Sequence, residues 1–126
     1  MNTAIISLGS NSSNHDRILH EALGHLNVSI IEFTGPYSHP TDNNPLAPYS
    51  NIVALIETDE NYENLHSRFK NIETLFGRNQ HSSNSDNIAL DIDIVVFNGT
   101  IIKQADYDRQ YFSYGLSRLS SVRPLN

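Results

Sequence analysis

The order of apolar repeats along the chain restricts its fold more than any other feature of the sequence. Short apolar or alternating segments are typical of β-strands, whereas apolar residues every three to four positions are typical of amphipathic helices. The predicted strands span residues 3–8, 28–37, 51–58 and 90–97, and the predicted helices run from 13–14 to near 27 and from near 61 to 77. The elements therefore run strand, helix, strand, strand, helix, strand.

This order predicts an α+β fold with a ferredoxin-like βαββαβ arrangement, in which the helices pack on one face of an antiparallel sheet. The 126 residues fit a single domain, residues 1–126. Asn98-Gly99 is typical of a two-residue hairpin turn and leads into residues 100–102. The last twenty or so residues have room for one short helix, so a C-terminal hairpin and helix extend the core arrangement.

Composition excludes several classes of protein. The sequence has no cysteine, which rules out disulfides, thiolate catalysis and cysteine zinc sites. Eight Lys and Arg against 14 Asp and Glu give a net charge of −6, so we expect no binding to nucleic acid. The apolar runs are far shorter than the roughly 20 residues of a membrane span, and the N-terminus lacks the features of a secretory signal. We expect a cytoplasmic protein without membrane contact; its oligomeric state stays open.

Two aspartates in the last predicted strand are the first candidates for chemistry. Asp91 and Asp93 lie two residues apart, so their side chains point to the same face of the sheet, about 7 Å apart. Two like charges at this spacing are costly to bury unless a divalent cation or a proton relieves them. Carboxylates suit Mg²⁺, although a solvated face would also explain them. Val95 and Phe97 continue this face and are apolar, which indicates that it is at least partly covered.

Aromatic and basic residues supply further candidates. A binding site for a flat heterocycle commonly combines aromatic side chains with one polar side chain that hydrogen-bonds the ring edge. The aromatic candidates here are Tyr37, Tyr49 and Tyr114, and the polar candidate is Asn51, although each of them also suits ordinary packing. Arg78, just after the second helix, can bind phosphate in a forked geometry, although a surface position explains it equally. No glycine-rich phosphate loop of the GxxxxGK type is present.

Five motifs in a consistent order give the sequence a family resemblance. They are Ser7-Leu8-Gly9-Ser10-Asn11, Pro36-Tyr37, Pro48-Tyr49-Ser50-Asn51, Ile72-Glu73 through Gly77-Arg78, and Leu90-Asp91-Ile92-Asp93-Ile94. Together they resemble 6-hydroxymethyl-7,8-dihydropterin pyrophosphokinase, a folate-pathway enzyme that transfers pyrophosphate from ATP to a pterin alcohol. The resemblance extends from about residue 4 to residue 116.

The resemblance implies roles for individual residues. Asp91 and Asp93 would hold two Mg²⁺ ions between the ATP phosphates and the pterin hydroxymethyl oxygen. The implied pterin contacts are Asn51, Tyr49, Tyr114, His39 and Pro40, and the implied nucleotide contacts are Arg78, Glu73, His81, Ile94 and Tyr107. Arg78 would also serve in catalysis, and the implied partners are the small molecules ATP and a dihydropterin.

The sequence also departs from the family at its phosphate-binding positions. Where the family has a Pro-Arg pair before the aspartates, this chain has Asn87-Ile88, and residues 79–89 contain no Lys or Arg. Asp106 replaces a histidine and Phe112 replaces an arginine. Lys70, Lys103 and Arg109 are candidate substitutes.

Three functions are compatible with this pattern. The first is a Mg²⁺-dependent pterin pyrophosphokinase, and the second is an inactive relative that binds pterin or nucleotide. The third is a structural or partner-binding domain, but this function would not explain the pair of aspartates on one face of the last strand.

Overall fold

The computed structural model describes residues 1–38, 49–77 and 89–120. Along the chain the elements are β1 (Asn2–Ser10), α1 (His15–His25), β2 (Ser29–Tyr37), β3 (Ser50–Thr58), α2 (Tyr62–Leu75), β4 (Asp91–Phe97), β5 (Thr100–Ile101), α3 (Gln104–Tyr107) and α4 (Gln110–Leu116). The predicted ferredoxin-like α+β fold is confirmed. The C-terminal extension holds two short helices in place of the single helix expected.

The helix ends follow the sequence signals. Asn61 caps α2, because its side chain accepts a hydrogen bond from the backbone N–H of Asn64 at 2.8 Å. Gly77 follows this helix with φ of +88°, the left-handed conformation that suits glycine after a helix. Asn14 takes the N-cap position of α1, although its side chain makes no capping hydrogen bond.

The sheet has five antiparallel strands in the order β2-β3-β1-β4-β5, so β1 lies at its centre. Helices α1 and α2 cover one face and bury the apolar side chains that alternate along the strands. This helix-side core includes Ile6, Leu8, Leu19, Ile52, Ile56, Leu65, Phe69, Ile92 and Ile94. The predicted turn at Asn98-Gly99 is also present, with positive φ at both residues.

The opposite face of the sheet is only partly covered. Helices α3 and α4 lie there and form a second apolar cluster with the strands, which contains Ile5, Val53, Leu55, Val95, Val96, Phe112 and Leu119. This covering confirms the expectation drawn from Val95. In contrast, Phe97 packs against the helix-side core. The prediction for Phe97 was wrong because the register of β4 against β1 shifts at Val95, where a β-bulge reverses the alternation.

The described residues contain no helix long and apolar enough to cross a membrane.

Candidate active site

The strand register brings distant parts of the sequence together on the partly covered face. On β1, Gly9 lies opposite Asn51 of β3 on one side and Asp91 of β4 on the other. In the next row of this face, two residues along, Ser7 lies opposite Asp93. Residues in register share a face of the sheet, so these side chains converge where the second apolar cluster ends.

A pocket of about 210 Å³ opens at this point. The strands supply its floor, while Tyr49 and the C-terminal helices supply its walls. The lining residues are Ser7, Gly9, Tyr49, Asn51, Asp91, Asp93, Asp106, Arg109 and Tyr111. Gly9 keeps the floor open, because a Cβ at this position would lie 3.2 Å from Asn51 Oδ1 and 3.5 Å from Tyr49 Cδ1.

Asn51 presents an unsatisfied donor in this pocket. The residue is only 4% exposed, and its Nδ2 has no hydrogen-bond partner among the residues that the structure describes. A buried amide without a partner is costly, so a polar atom of a ligand is its natural acceptor. Together with the aromatic rings of Tyr49 and Tyr111, this amide suits a flat, polar-edged heterocycle.

Hydrogen bonds to its side chain and to its backbone carbonyl fix the position of Tyr111 in the pocket. Its side chain hydrogen-bonds Ser7, and burial raises the pKa of its phenol to about 12, which keeps it neutral. Its carbonyl accepts a hydrogen bond from the hydroxyl of Tyr37. Gly115, one turn further along α4, allows this close packing, since a Cβ there would meet Tyr37 Oη at 2.4 Å and Val53 Cγ2 at 2.5 Å.

The two predicted aspartates share the pocket, with side chains 33% and 19% exposed for Asp91 and Asp93. Burial, the charge of Asp91 and a hydrogen bond between the two carboxyl groups together raise the pKa of Asp93 from 3.8 to about 7. Asp106 contributes in the same direction, while Lys70 opposes the rise. The ionised pair is therefore an unfavourable arrangement that a bound cation would relieve.

One basic group lines the pocket and another lies beside the aspartate pair. From the C-terminal helices, Arg109 lines the pocket and lies 3.7 Å from Asp106, measured from Nε to Oδ1. From α2, the Lys70 ammonium lies 4.0 Å from Asp91 Oδ1 and 3.8 Å from Asp93 Oδ1. Both belong to the three substitute cations named from the sequence, and the third, Lys103, is exposed and precedes α3.

The donor set fits Mg²⁺. In the described ranges, no group of three or more His, Asp or Glu residues is placed to hold a metal ion. Mg²⁺ needs no such cage, because it retains several waters and binds phosphate oxygens together with one or two protein carboxylates. Asp91 and Asp93 supply two carboxylates on one face of the pocket.

The structure brings together four of the residues to which the resemblance assigns a pterin or metal contact, which are Tyr49, Asn51, Asp91 and Asp93. Arg109, one of the candidate substitute cations, lines the same pocket. Tyr114 lies outside the pocket lining, with its ring centroid 4.8 Å from that of Tyr37 and the Arg118 guanidinium carbon 3.6 Å from its centroid. The aromatic residue of α4 that lines the pocket is Tyr111, which sequence reasoning missed. Tyr111 and Tyr114 lie three positions apart on the short helix α4, and the sequence does not indicate which of them faces the pocket.

Three predicted nucleotide contacts also lie away from the pocket lining. Tyr107 packs its ring against Phe112, Ile94 is buried in the helix-side core, and buried Glu73 accepts a hydrogen bond from the Ile92 backbone N–H. The remaining predictions lie outside the described residues: Arg78, His39, Pro40 and His81. The roles of all seven stay predictions.

A comparison with protein families identifies the relationship. The sequence model of the 7,8-dihydro-6-hydroxymethylpterin-pyrophosphokinase (HPPK) family matches residues 5–121. The chain belongs to this family. In this HPPK chain, Phe112 is fully buried in the second apolar cluster and Asp106 lies in the pocket wall. The resemblance drawn from the sequence implies an arginine and a histidine at these two positions.

Other comparisons add no functional information. No curated protein matches the chain. Similar solved structures include a formyltetrahydrofolate deformylase from Pseudomonas putida KT2440, with 8% identity, a TM-score of 0.41 and coverage of 72% of this chain. This chain spans only 27% of that protein. An ACT domain protein from Streptococcus pneumoniae has 15% identity and a TM-score of 0.42, with 87% of this chain and 98% of that chain covered.

Proposed function

We propose that this HPPK-family protein transfers pyrophosphate from ATP to 6-hydroxymethyl-7,8-dihydropterin in a Mg²⁺-dependent reaction. The observation that carries the proposal is one pocket that combines two kinds of group. Asp91 and Asp93 supply a paired carboxylate site, and Asn51 supplies a buried amide donor without a partner in the described residues. The first suits a metal–phosphate complex and the second suits the polar edge of a pterin.

The pterin would bind at the Asn51 side of the pocket. Tyr49 and Tyr111 would flank its ring, while the Asn51 amide would donate to an acceptor on the ring edge. Gly9 leaves room between Asn51 and Asp91 on the pocket floor. The substrate hydroxymethyl group would then point along the floor toward the aspartates.

The triphosphate would bind at the aspartate side. Asp91 and Asp93 would hold two Mg²⁺ ions, which supply electrostatic stabilisation of the phosphate oxygens. Arg109, 56% exposed at the pocket wall, would contact phosphate oxygens and replace part of the basic surface that the sequence lacks at residues 79–89. Arg78 and His81 remain predicted contacts of the nucleotide.

The chemistry would be an in-line displacement at the β-phosphorus of ATP. The hydroxymethyl oxygen would form a bond to this phosphorus and lose its proton to solvent, while the bond from the phosphorus to the bridging oxygen of the α-phosphate would break and AMP would leave with that oxygen. In such reactions the protein mainly positions the reactants and stabilises charge. Asn51, Tyr49 and Tyr111 would position the pterin, and the charged residues would stabilise the phosphates.

A second candidate function is a binding module that retains the pterin pocket without catalysis. The buried position of Phe112 favours it, because a buried phenyl ring cannot replace a phosphate-binding arginine. A charge-assisted contact contributes about 1.5–3 kcal/mol, so two lost contacts that act in the transition state would reduce the rate by several orders of magnitude.

The test is AMP release from ATP and Mg²⁺, with and without 6-hydroxymethyl-7,8-dihydropterin. The Asp91→Ala/Asp93→Ala double variant gives the background rate. Pterin-dependent AMP above this background supports the pyrophosphokinase. Pterin binding by calorimetry without AMP release refutes it and supports the binding module.

A further inference from the structure

The edge of β4 beside the aspartates is covered by side chains of α2. The short strand β5 pairs only with Val96 and Phe97, so it does not reach the other end of β4. There the backbone N–H of Ile92 donates to Glu73 Oε2 at 2.7 Å, and its carbonyl accepts from Lys70 Nζ at 3.0 Å. Side chains of a helix on the opposite face of the sheet thus reach around this edge toward the aspartates.

This arrangement fixes the position of the Lys70 ammonium. Besides the Ile92 carbonyl, Lys70 Nζ contacts the buried Glu73 carboxylate at 2.8 Å. From this position it lies within 4.0 Å of a carboxylate oxygen of both Asp91 and Asp93. The aspartate pair therefore has a cation of the protein itself beside it.

We propose that Lys70 is the resident counter-ion of the aspartate pair and competes there with a divalent metal ion. The inference rests on the proposed function, because it takes Asp91 and Asp93 as the metal-binding carboxylates. A metal ion bound to both carboxylates would come within a few ångströms of the ammonium, and like charges at that distance repel strongly in a partly buried site. The metal must therefore bind against this repulsion or displace the ammonium.

The competition couples metal binding to phosphate binding. Without nucleotide, the ammonium is satisfied by the carboxylates and the metal ion binds weakly. When a triphosphate enters with the metal, its oxygens give the ammonium a new anionic partner. Lys70 thereby makes the metal affinity depend on the phosphate ligand and serves as a phosphate-binding cation in a chain with few of them.

Mn²⁺ titration followed by electron paramagnetic resonance tests the competition without catalysis. In the absence of nucleotide, Lys70→Gln should bind Mn²⁺ about tenfold more tightly than the wild type, since the competing charge is gone. Lys70→Arg retains the charge and should bind as weakly as the wild type. Arg17→Gln removes an exposed cation of α1 outside the pocket lining and is the charge-matched control. Adding Asp93→Asn to Lys70→Gln should abolish the gain, which locates it at the pair.

A second measurement tests the phosphate contact. At saturating Mn²⁺, calorimetry with α,β-methylene-ATP should give about tenfold weaker binding to Lys70→Gln than to the wild type. If Lys70→Gln does not fold, Lys70→Met retains the aliphatic stem and carries the same expectations.

The outcomes separate this inference from the proposed function. Equal or weaker Mn²⁺ binding by Lys70→Gln overturns the role of Lys70 and leaves the metal site in place. Unchanged affinity for the ATP analogue overturns the coupling to phosphate. Absence of Mn²⁺ binding in every variant, with and without the analogue, overturns both the inference and the Mg²⁺ site of the proposed function.

Discussion

Replacing Asp93 with asparagine should stabilise the metal-free protein, and this effect should grow with pH. The pKa of Asp93 is about 7 in the folded protein, against an ordinary value of 3.8, because the carboxyl group is buried beside Asp91. Between these two values the folded state binds more protons than the unfolded state. The contribution of Asp93 to stability is therefore complete below about pH 4 and is lost as the pH rises to about 7.

The size of the effect follows from the pKa difference. About three pKa units at 1.36 kcal/mol each give roughly 4 kcal/mol as an upper limit. Asparagine removes the buried charge but also weakens the attraction to Lys70, whose Nζ lies 3.8 Å from Asp93 Oδ1. We expect Asp93→Asn to increase the free energy of unfolding by about 1–3 kcal/mol at pH 8, or roughly 3–12 °C in Tm. At pH 5 the gain should be less than half as large, since most of the loss occurs above that pH.

Thermal unfolding in EDTA at both pH values measures this effect. Asp59 is exposed, so Asp59→Asn makes the same chemical change without relieving a buried charge and should alter stability by less than about 0.5 kcal/mol. Added Mg²⁺ should stabilise the wild type and not Asp93→Asn. The raised pKa of Asp93 would be contradicted if Asp93→Asn were no more stable than the wild type at pH 8. It would also be contradicted if the variant were stabilised equally at both pH values.

Three further substitutions test the pocket and its support. Asn51→Leu should leave thermal stability unchanged or raise it by up to about 1 kcal/mol, because it removes a buried donor that has no partner among the described residues. The same variant should weaken pterin binding by roughly 10–100-fold in calorimetry, and unaltered affinity would contradict the role of the amide. Gly9→Ala should weaken pterin binding about tenfold, because the added Cβ would displace Asn51. The control is Gly24→Ala, at a helical position with open space around its Cβ; it should leave binding unaffected and stabilise the fold by up to about 1 kcal/mol. Gly115→Ala should lower the free energy of unfolding by about 1–3 kcal/mol in denaturant titration, because its Cβ would overlap Tyr37; a neutral result would refute the close packing of α4.

Much of the fold followed from local sequence patterns. The two apolar periods set the order of helices and strands, and Asn61, Gly77 and Asn98-Gly99 marked ends and turns by their own backbone preferences. The common face of Asp91 and Asp93 is likewise local, since alternate residues of a strand point the same way. These features depend on residues that are close in the sequence, so they can be predicted without knowledge of the tertiary structure.

Other features depended on which strands pair and in which register. The row that joins Gly9 to Asn51 and Asp91 arises from two long-range strand pairings that no local pattern encodes. The bulge at Val95 is part of the same pairing, and it moved Phe97 to the face opposite to the one that simple alternation predicts. Register is fixed by packing across the whole sheet, and for that reason the sequence alone left it open.

By itself, the sequence determined the fold class, the paired aspartates and the residue types that carry the family resemblance. Only the tertiary structure decided which side chains meet around the pocket. It placed Tyr111 instead of Tyr114 in the wall, because the packing of Gly115 against Tyr37 sets the rotation of α4. It also brought Lys70 to the aspartates around the edge of β4 that β5 does not reach. Contacts of this kind form between residues far apart in the chain, and their geometry is set by the packing of the complete domain.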